Sequence, residues 1–199
     1  MNLSLNVAPQ FNLYQNVEYQ LRDKNGNVKP IFQENQLCRF LLKQGIISPL
    51  WINSSFSSLL SPFLGRWSDK RIIRNLVTSA GKAGAASRIN GSGGEAAFTY
   101  IATGTGTNAA AAGDTALQTE LAASGLSRAN ATASRVTTSV TNDTAQLVNT
   151  FSITGTQAVT ESGVLNAAST GTLLARQVFS AVNVVNGDSL QVTWKFQMS

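Results

Sequence analysis

The sequence predicts a mainly β protein: an antiparallel β-sandwich or jelly-roll-like domain over residues 71–199, preceded by an extended, partly helical anchoring region over residues 1–70. Three observations predict it. Apolar and polar residues alternate without a break through Leu190, Val192, Trp194, Phe196 and Met198, the period-two mark of a strand with one face in a core. Shorter runs of the same kind recur through the second half, separated by turn formers such as Asn142-Asp143 and Asn186-Gly187. Apolar residues make up 43% of the 199 and charged residues only 13%, a balance that favours packed sheets over disorder.

Taken in order, residues 1–16 carry Leu3, Leu5 and Val7 at period two. They fit equally an arm that adds a strand to a neighbour and the first strand of the chain's own sheet. Val17, Tyr19 and Leu21 alternate into Asp23-Lys24-Asn25-Gly26, and Asn-Gly favours the positive φ of a tight turn; Val28 and Ile31 then begin a returning strand. From Phe32 to Gly45 the period becomes helical, with Phe32, Leu37, Phe40 and Leu41 on one stripe, Glu34 early, Arg39 and Lys43 late, and Gly45 as the stop.

Residues 46–67 crowd large apolar side chains between prolines and serines that break regular structure. Such a stretch has to be covered, by the rest of the chain or by a partner. The candidate docking residues are Leu50, Trp51, Phe56, Leu59, Leu60, Phe63, Leu64 and Trp67, with Arg66 and Arg71 as the accompanying cations.

Residues 71–77 form a candidate strand, and Thr78 or Ser79 can cap a helix over Ser79–Ile89 that presents Ala80, Ala83, Ala86 and Ile89. Asn90 to Gly94 is a glycine-rich connector. A strand is expected from Phe98, then a Gly/Thr loop at Gly104-Thr105-Gly106-Thr107, then a short helix capped by Asp114 that buries Leu117 and Leu121. Further strands are expected over 126–140, 145–154 (Leu147, Asn149, Phe151 and Ile153 on one side), 158–165, 172–179 and 189–198.

Several kinds of chemistry are excluded or disfavoured. The chain has no histidine and a single cysteine, Cys38, so Ser-His, Cys-His and zinc arrangements cannot be built, and Cys38 is expected to be a small buried residue. The Gly/Thr loop lacks the lysine and glycine spacing of a phosphate loop. Glu161 is a lone carboxylate where glycosidases need a pair, and Asp143 and Asp188 lie in turns without calcium-loop spacing. The expectation is a non-enzymatic chain with no cofactor and no metal. Neither a signal-peptide pattern nor a membrane-length apolar run is present, which points to synthesis in the cytoplasm and no membrane partner. The net charge of +5 is concentrated upstream: residues 1–95 hold eleven Lys and Arg against five Asp and Glu, and residues 96–199 four against five. The upstream cations are scattered singly, which disfavours nucleic acid and suits an acidic protein surface.

The segments TYIATGTGTNAAAAGDTALQTEL and TESGVLNAASTGTLLARQVFSAVNVVNGDSLQVTWKFQ resemble a module of tailed-bacteriophage virion structural proteins, with the pattern YIAxGTGT, DTAL, TExGxxNA, LARxxF and GDxLxVTW in that order. The resemblance covers roughly residues 77–198; this chain has Val164-Leu165 where an aromatic often precedes Asn166-Ala167. Upstream, NGNVKPIFQENQLCRFLLKQG and the apolar stretch look like an attachment region. The resemblance implies a capsid decoration or head-fibre-like protein located in the virion, with the major capsid protein or a tail protein as partner and a homo-oligomeric state, a trimer among the options. A tail or baseplate component whose β-domain binds a host receptor or glycan is the alternative.

Overall fold

A computed structural model of the chain describes residues 13–47 and 63–198. The expected apolar residues Leu50, Trp51, Phe56, Leu59 and Leu60, and the period-two run at Leu3, Leu5 and Val7, lie outside them.

The protein is mainly β, with antiparallel sheets. One sheet has the order β2 (Val28–Lys29), β1 (Leu13–Arg22), β13 (Ser189–Met198), β10 (Thr144–Ser152) and β9 (Thr132–Val136), with β5 (Arg71–Arg74) also paired to β1. The other runs β6 (Leu76–Val77), β12 (Leu173–Val184), β11 (Gln157–Leu165), β7 (Tyr100–Gly104) and β8 (Ala129–Asn130). A separate ribbon pairs β3 (Ile31–Glu34) with β4 (Gly65–Ser68), and helices α1 (Gln36–Lys43) and α2 (Ser79–Asn90) complete the described elements.

The inner faces of the two large sheets share one core. The alternating side chains of β13 supply its centre: Leu190, Val192, Trp194 and Phe196 are all buried. Trp194 donates its indole N–H across the gap to Ser162 Oγ at 3.2 Å, and Tyr19 of β1 meets Phe179 of β12 with ring centroids 4.2 Å apart. Tyr19 is wholly buried, and burial pushes its phenol well above the ordinary value.

β1 pairs with β13 from Leu13↔Met198 to Arg22↔Ser189. Residues 13–22 are therefore a strand of the chain's own sheet, flanked by β13 on one side and by β2 and β5 on the other. The turn expected at Gly26 is present: Gly26 has φ +82°, and the Asp23 carboxylate accepts from the N–H groups of Asn25 and Asn27 at 2.8 and 2.9 Å.

Five local expectations need correction. Residues 71–77 and 126–140 do not form single strands. The first divides at Asn75 into β5 and β6, and the second at the buried Ala131 into β8 and β9, each half joining a different sheet. Phe32 belongs to β3, so α1 starts only after Asn35, whose side chain caps it by accepting from Cys38 N–H at 2.8 Å; Leu37 and Phe40 are exposed and Cys38 buried, the burial raising the thiol's pKa. In α2 the face that packs is Gly81 and Gly84, not the alanine stripe. A Cβ on Gly81 would collide with the Leu174 carbonyl of β12, so the missing side chain sets how closely helix and strand approach. No helix forms at Asp114, where the chain runs through turns to an isolated bridge between Glu120 and Gly104.

Candidate docking surface

The β3–β4 ribbon is built by local sequence. Pro30 has no N–H to donate and separates β2 from β3. The ribbon then pairs Phe32 with Trp67 and Glu34 with Gly65. A Cβ at Gly65 would collide with the Gln33 carbonyl and lie 2.8 Å from the Phe32 ring, so glycine lets the strands close and lets Phe32 meet Trp67 edge-on, at 5.3 Å and 63°.

Between the ribbon strands the chain makes an excursion that begins at Asn35 and returns at Leu64. Asn35 ties the two ends together: its N–H bonds the Leu64 carbonyl at 2.9 Å and its side-chain amide the Phe63 carbonyl at 2.6 Å. The excursion ends are apolar and open. Phe63 is 68% exposed and Trp67 42%; Leu37, Phe40 and Ile46 are exposed as well, and Ile72 on β5 adds to them. Arg66 is exposed on β4 and Leu64 is half-buried. By contrast, the exposed large apolar residues elsewhere, Ile89, Val140, Val185 and Met198, are far apart in sequence.

Arg71 departs from its expected docking role. It is only 5% exposed, and its guanidinium bonds the chain's own carbonyls, Ser180 at 2.5 Å and Phe32. Burial lowers its pKa. With Gln33 Nε2 on the Lys70 carbonyl at 2.6 Å and Ser180 Oγ on the Glu34 carboxylate, Arg71 fixes the ribbon to β12. A guanidinium has five donors in a fixed fork, which suits it to tying two backbone carbonyls.

Glu161, the lone carboxylate, and the Gly/Thr loop belong to a second constellation. Glu161 is fully buried on β11. Its Oε1 accepts from Gly106 N–H at 3.0 Å and Thr119 N–H at 2.7 Å; its Oε2 accepts from Gln118 N–H at 3.0 Å and Arg176 Nε at 2.8 Å. Arg176 reaches on to Asp114 at 2.8 Å and to the Asn108 carbonyl at 3.2 Å. Burial disfavours the Arg176 charge, but the bonds to Asp114 and Glu161 outweigh it and raise its pKa. Both carboxylate oxygens are engaged, so Glu161 works as a clamp that holds loop 105–120 on the sheet. Gly104 and Gly106 make room for it, because a Cβ on either would run into Glu161. Outside β7 the loop closes a small apolar cluster of Ala102, Leu117, Leu165 and Leu173.

Four of the short motifs in the sequence thus meet at one place: GTGT supplies the glycines, DTAL supplies Asp114 and Leu117, TESG supplies Glu161, and LAR supplies Arg176. Sequence reasoning missed this convergence. Its available signal was that Glu161 and Arg176 stand in strands expected to be buried, where a charge needs a partner. Among the described residues no group of three or more His, Cys, Asp or Glu could hold a metal ion, and no helix is long and apolar enough to cross a membrane. Comparison with protein-family models, curated proteins and solved structures gives no match to this chain.

Proposed function

We propose that the chain is a non-enzymatic structural protein of a tailed-bacteriophage virion, a capsid-associated decoration or head-fibre-like subunit. It docks through the excursion carried by the β3–β4 ribbon and displays the two-sheet body as its sandwich or jelly-roll-like domain. The observation that carries this reading is the concentration of exposed apolar side chains, from Leu37 to Ile72, on and beside one ribbon, in the more basic half of the chain. An exposed apolar patch with Arg66 beside Trp67 on β4 fits a partly acidic, partly apolar patch on a shell protein. The four-motif clamp supports it from the other side, because a motif pattern spent on holding a loop describes a scaffold rather than a catalytic centre. Repeated copies on a symmetric particle favour a homo-oligomer, a trimer among the options.

The second reading, a tail or baseplate component that binds a receptor or glycan, is favoured by the cleft beside Trp67 described below. Antibody labelling on assembled particles separates the two: label over the head supports the first, and label confined to the tail tip overturns it. Replacing residues 36–63 by a short turn is expected to abolish incorporation while the body still folds. Incorporation that survives the replacement defeats docking through the ribbon.

A further inference from the structure

A cleft of about 570 Å³ opens between the β3–β4 ribbon and β12, within the size range of small-ligand sites. We propose that it binds a neutral saccharide, a pyranose ring stacking on Trp67 and its hydroxyls bonding Glu34 and Asn183. The inference shares Trp67 with the docking patch but is read separately, by sugar binding to the isolated chain rather than by incorporation into particles.

The ring comes first. Trp67 lines the cleft and is 42% exposed, yet the edge-on contact with Phe32 holds one side of it in place. A fixed aromatic surface with an open face offers a platform for the C–H face of a sugar at small cost in side-chain entropy.

The polar groups come next. The Glu34 side chain is 8% exposed and lines the same cleft. One of its oxygens accepts from Ser180 Oγ and lies 4.0 Å from Arg39 Nε; the other makes no further hydrogen bond among the described residues. A carboxylate presents several lone pairs, and a desolvated one without a full set of donors is a strong acceptor for sugar hydroxyls. Asn183, exposed on β12 at the same cleft, brings an amide that both donates and accepts and has no side-chain partner among the described residues.

Charge decides the class of sugar. Lys29 at the rim is paired with Asp188 at 2.6 Å, and the Arg71 guanidinium is engaged by the two carbonyls and faces Glu34. The cationic groups are therefore already answered, and an acidic sugar or a phosphate would find no free one. A hydroxyl-rich uncharged ligand matches what remains.

The test uses the full chain on an array of immobilised neutral and acidic oligosaccharides, followed by calorimetric titration with the neutral oligosaccharide retained best. Trp67→Ala is expected to weaken association at least about tenfold, and Asn183→Ala and Glu34→Gln each by several-fold, roughly the effect of one lost stacking or hydrogen-bonding contact. Phe63→Ala, outside the cleft, should leave it unchanged. Trp67 and Asn183 are both open to solvent, so their variants keep the fold, which a thermal melt verifies. The proposal is overturned if no neutral saccharide is retained, if acidic ones are preferred, or if binding survives both Trp67→Ala and Asn183→Ala. A chain that fails here but still incorporates into particles leaves the docking role intact, and the converse result separates them the other way.

Discussion

Glu161 and Arg176 are charged side chains inside a β protein, and each is tolerated because the other lies 2.8 Å away with the remaining lone pairs and protons engaged. Removing one partner of such a buried pair costs about 3–5 kcal/mol, with the lower end expected for Glu161 because Arg176 keeps Asp114 at 2.8 Å. Glu161→Gln should therefore lower stability by that order in urea titration. Gly106→Ala should act in the same direction, because its Cβ collides with the carboxylate, whereas Gly113→Ala, with open space around it, should be close to neutral. Asp143 makes a different prediction. The Val140 N–H, opposed in part by burial, and the N–H groups of Ser139 and Thr138 hold its carboxyl far below the usual carboxylate range. A folded-state pKa below the unfolded one gives stability that is complete above about pH 4 and is lost as the pH falls toward the folded value. Asp143→Asn should thus lower the melting temperature at pH 7, and its gap from wild type should narrow steadily below about pH 4.

At the scale of elements, α2 shows how packing overrides propensity. Its small residues predict a helix, and the structure has one with Thr78 as its cap, but propensity cannot tell which stripe faces the sheet. The glycines do so because Gly81 meets the Leu174 backbone. Gly81→Ala should gain about 1 kcal/mol of helix propensity and lose more to the collision, about 1–3 kcal/mol as for an overpacked core. Ala86→Gly on the exposed side should cost about 1 kcal/mol, and thermal melts of the two variants distinguish the effects. The missing helix at Asp114 follows the same logic. The N–H groups of Gln118 and Thr119 are taken by Glu161, and the Asp114 carboxylate by Ala111 N–H and Arg176, so the donors and the cap that a helix would need are spent elsewhere. The lesson extends to β5–β6 and β8–β9, where alternation marks extended chain but not the residue at which it changes sheet.

For the whole molecule, β1 lies inside the first sheet, while residues 36–47 and 63–64, the described part of the ribbon excursion, contribute nothing to the main core cluster. Deleting residues 1–22 should abolish a cooperative melt, because β13 loses its β1 partner and the core loses Val17, Tyr19 and Leu21. Joining β3 to β4 by a short turn in place of residues 36–63 should keep the melt cooperative, since Glu34 and Gly65 already face each other. Sequence alone was enough for the mainly β class, the turns at Gly26, Asn142 and Gly187, and β13 to the residue, because alternation and turn chemistry are local properties of the chain. It also marked residues 46–67 as an apolar stretch in need of cover. The folded chain was needed to see that Arg71 ties the ribbon down, that Glu161 closes on Arg176, and that residues 13–22 pair with the last strand. Each of these joins residues distant in the chain, and a buried charge or an edge backbone finds its partner through space, which no local pattern encodes.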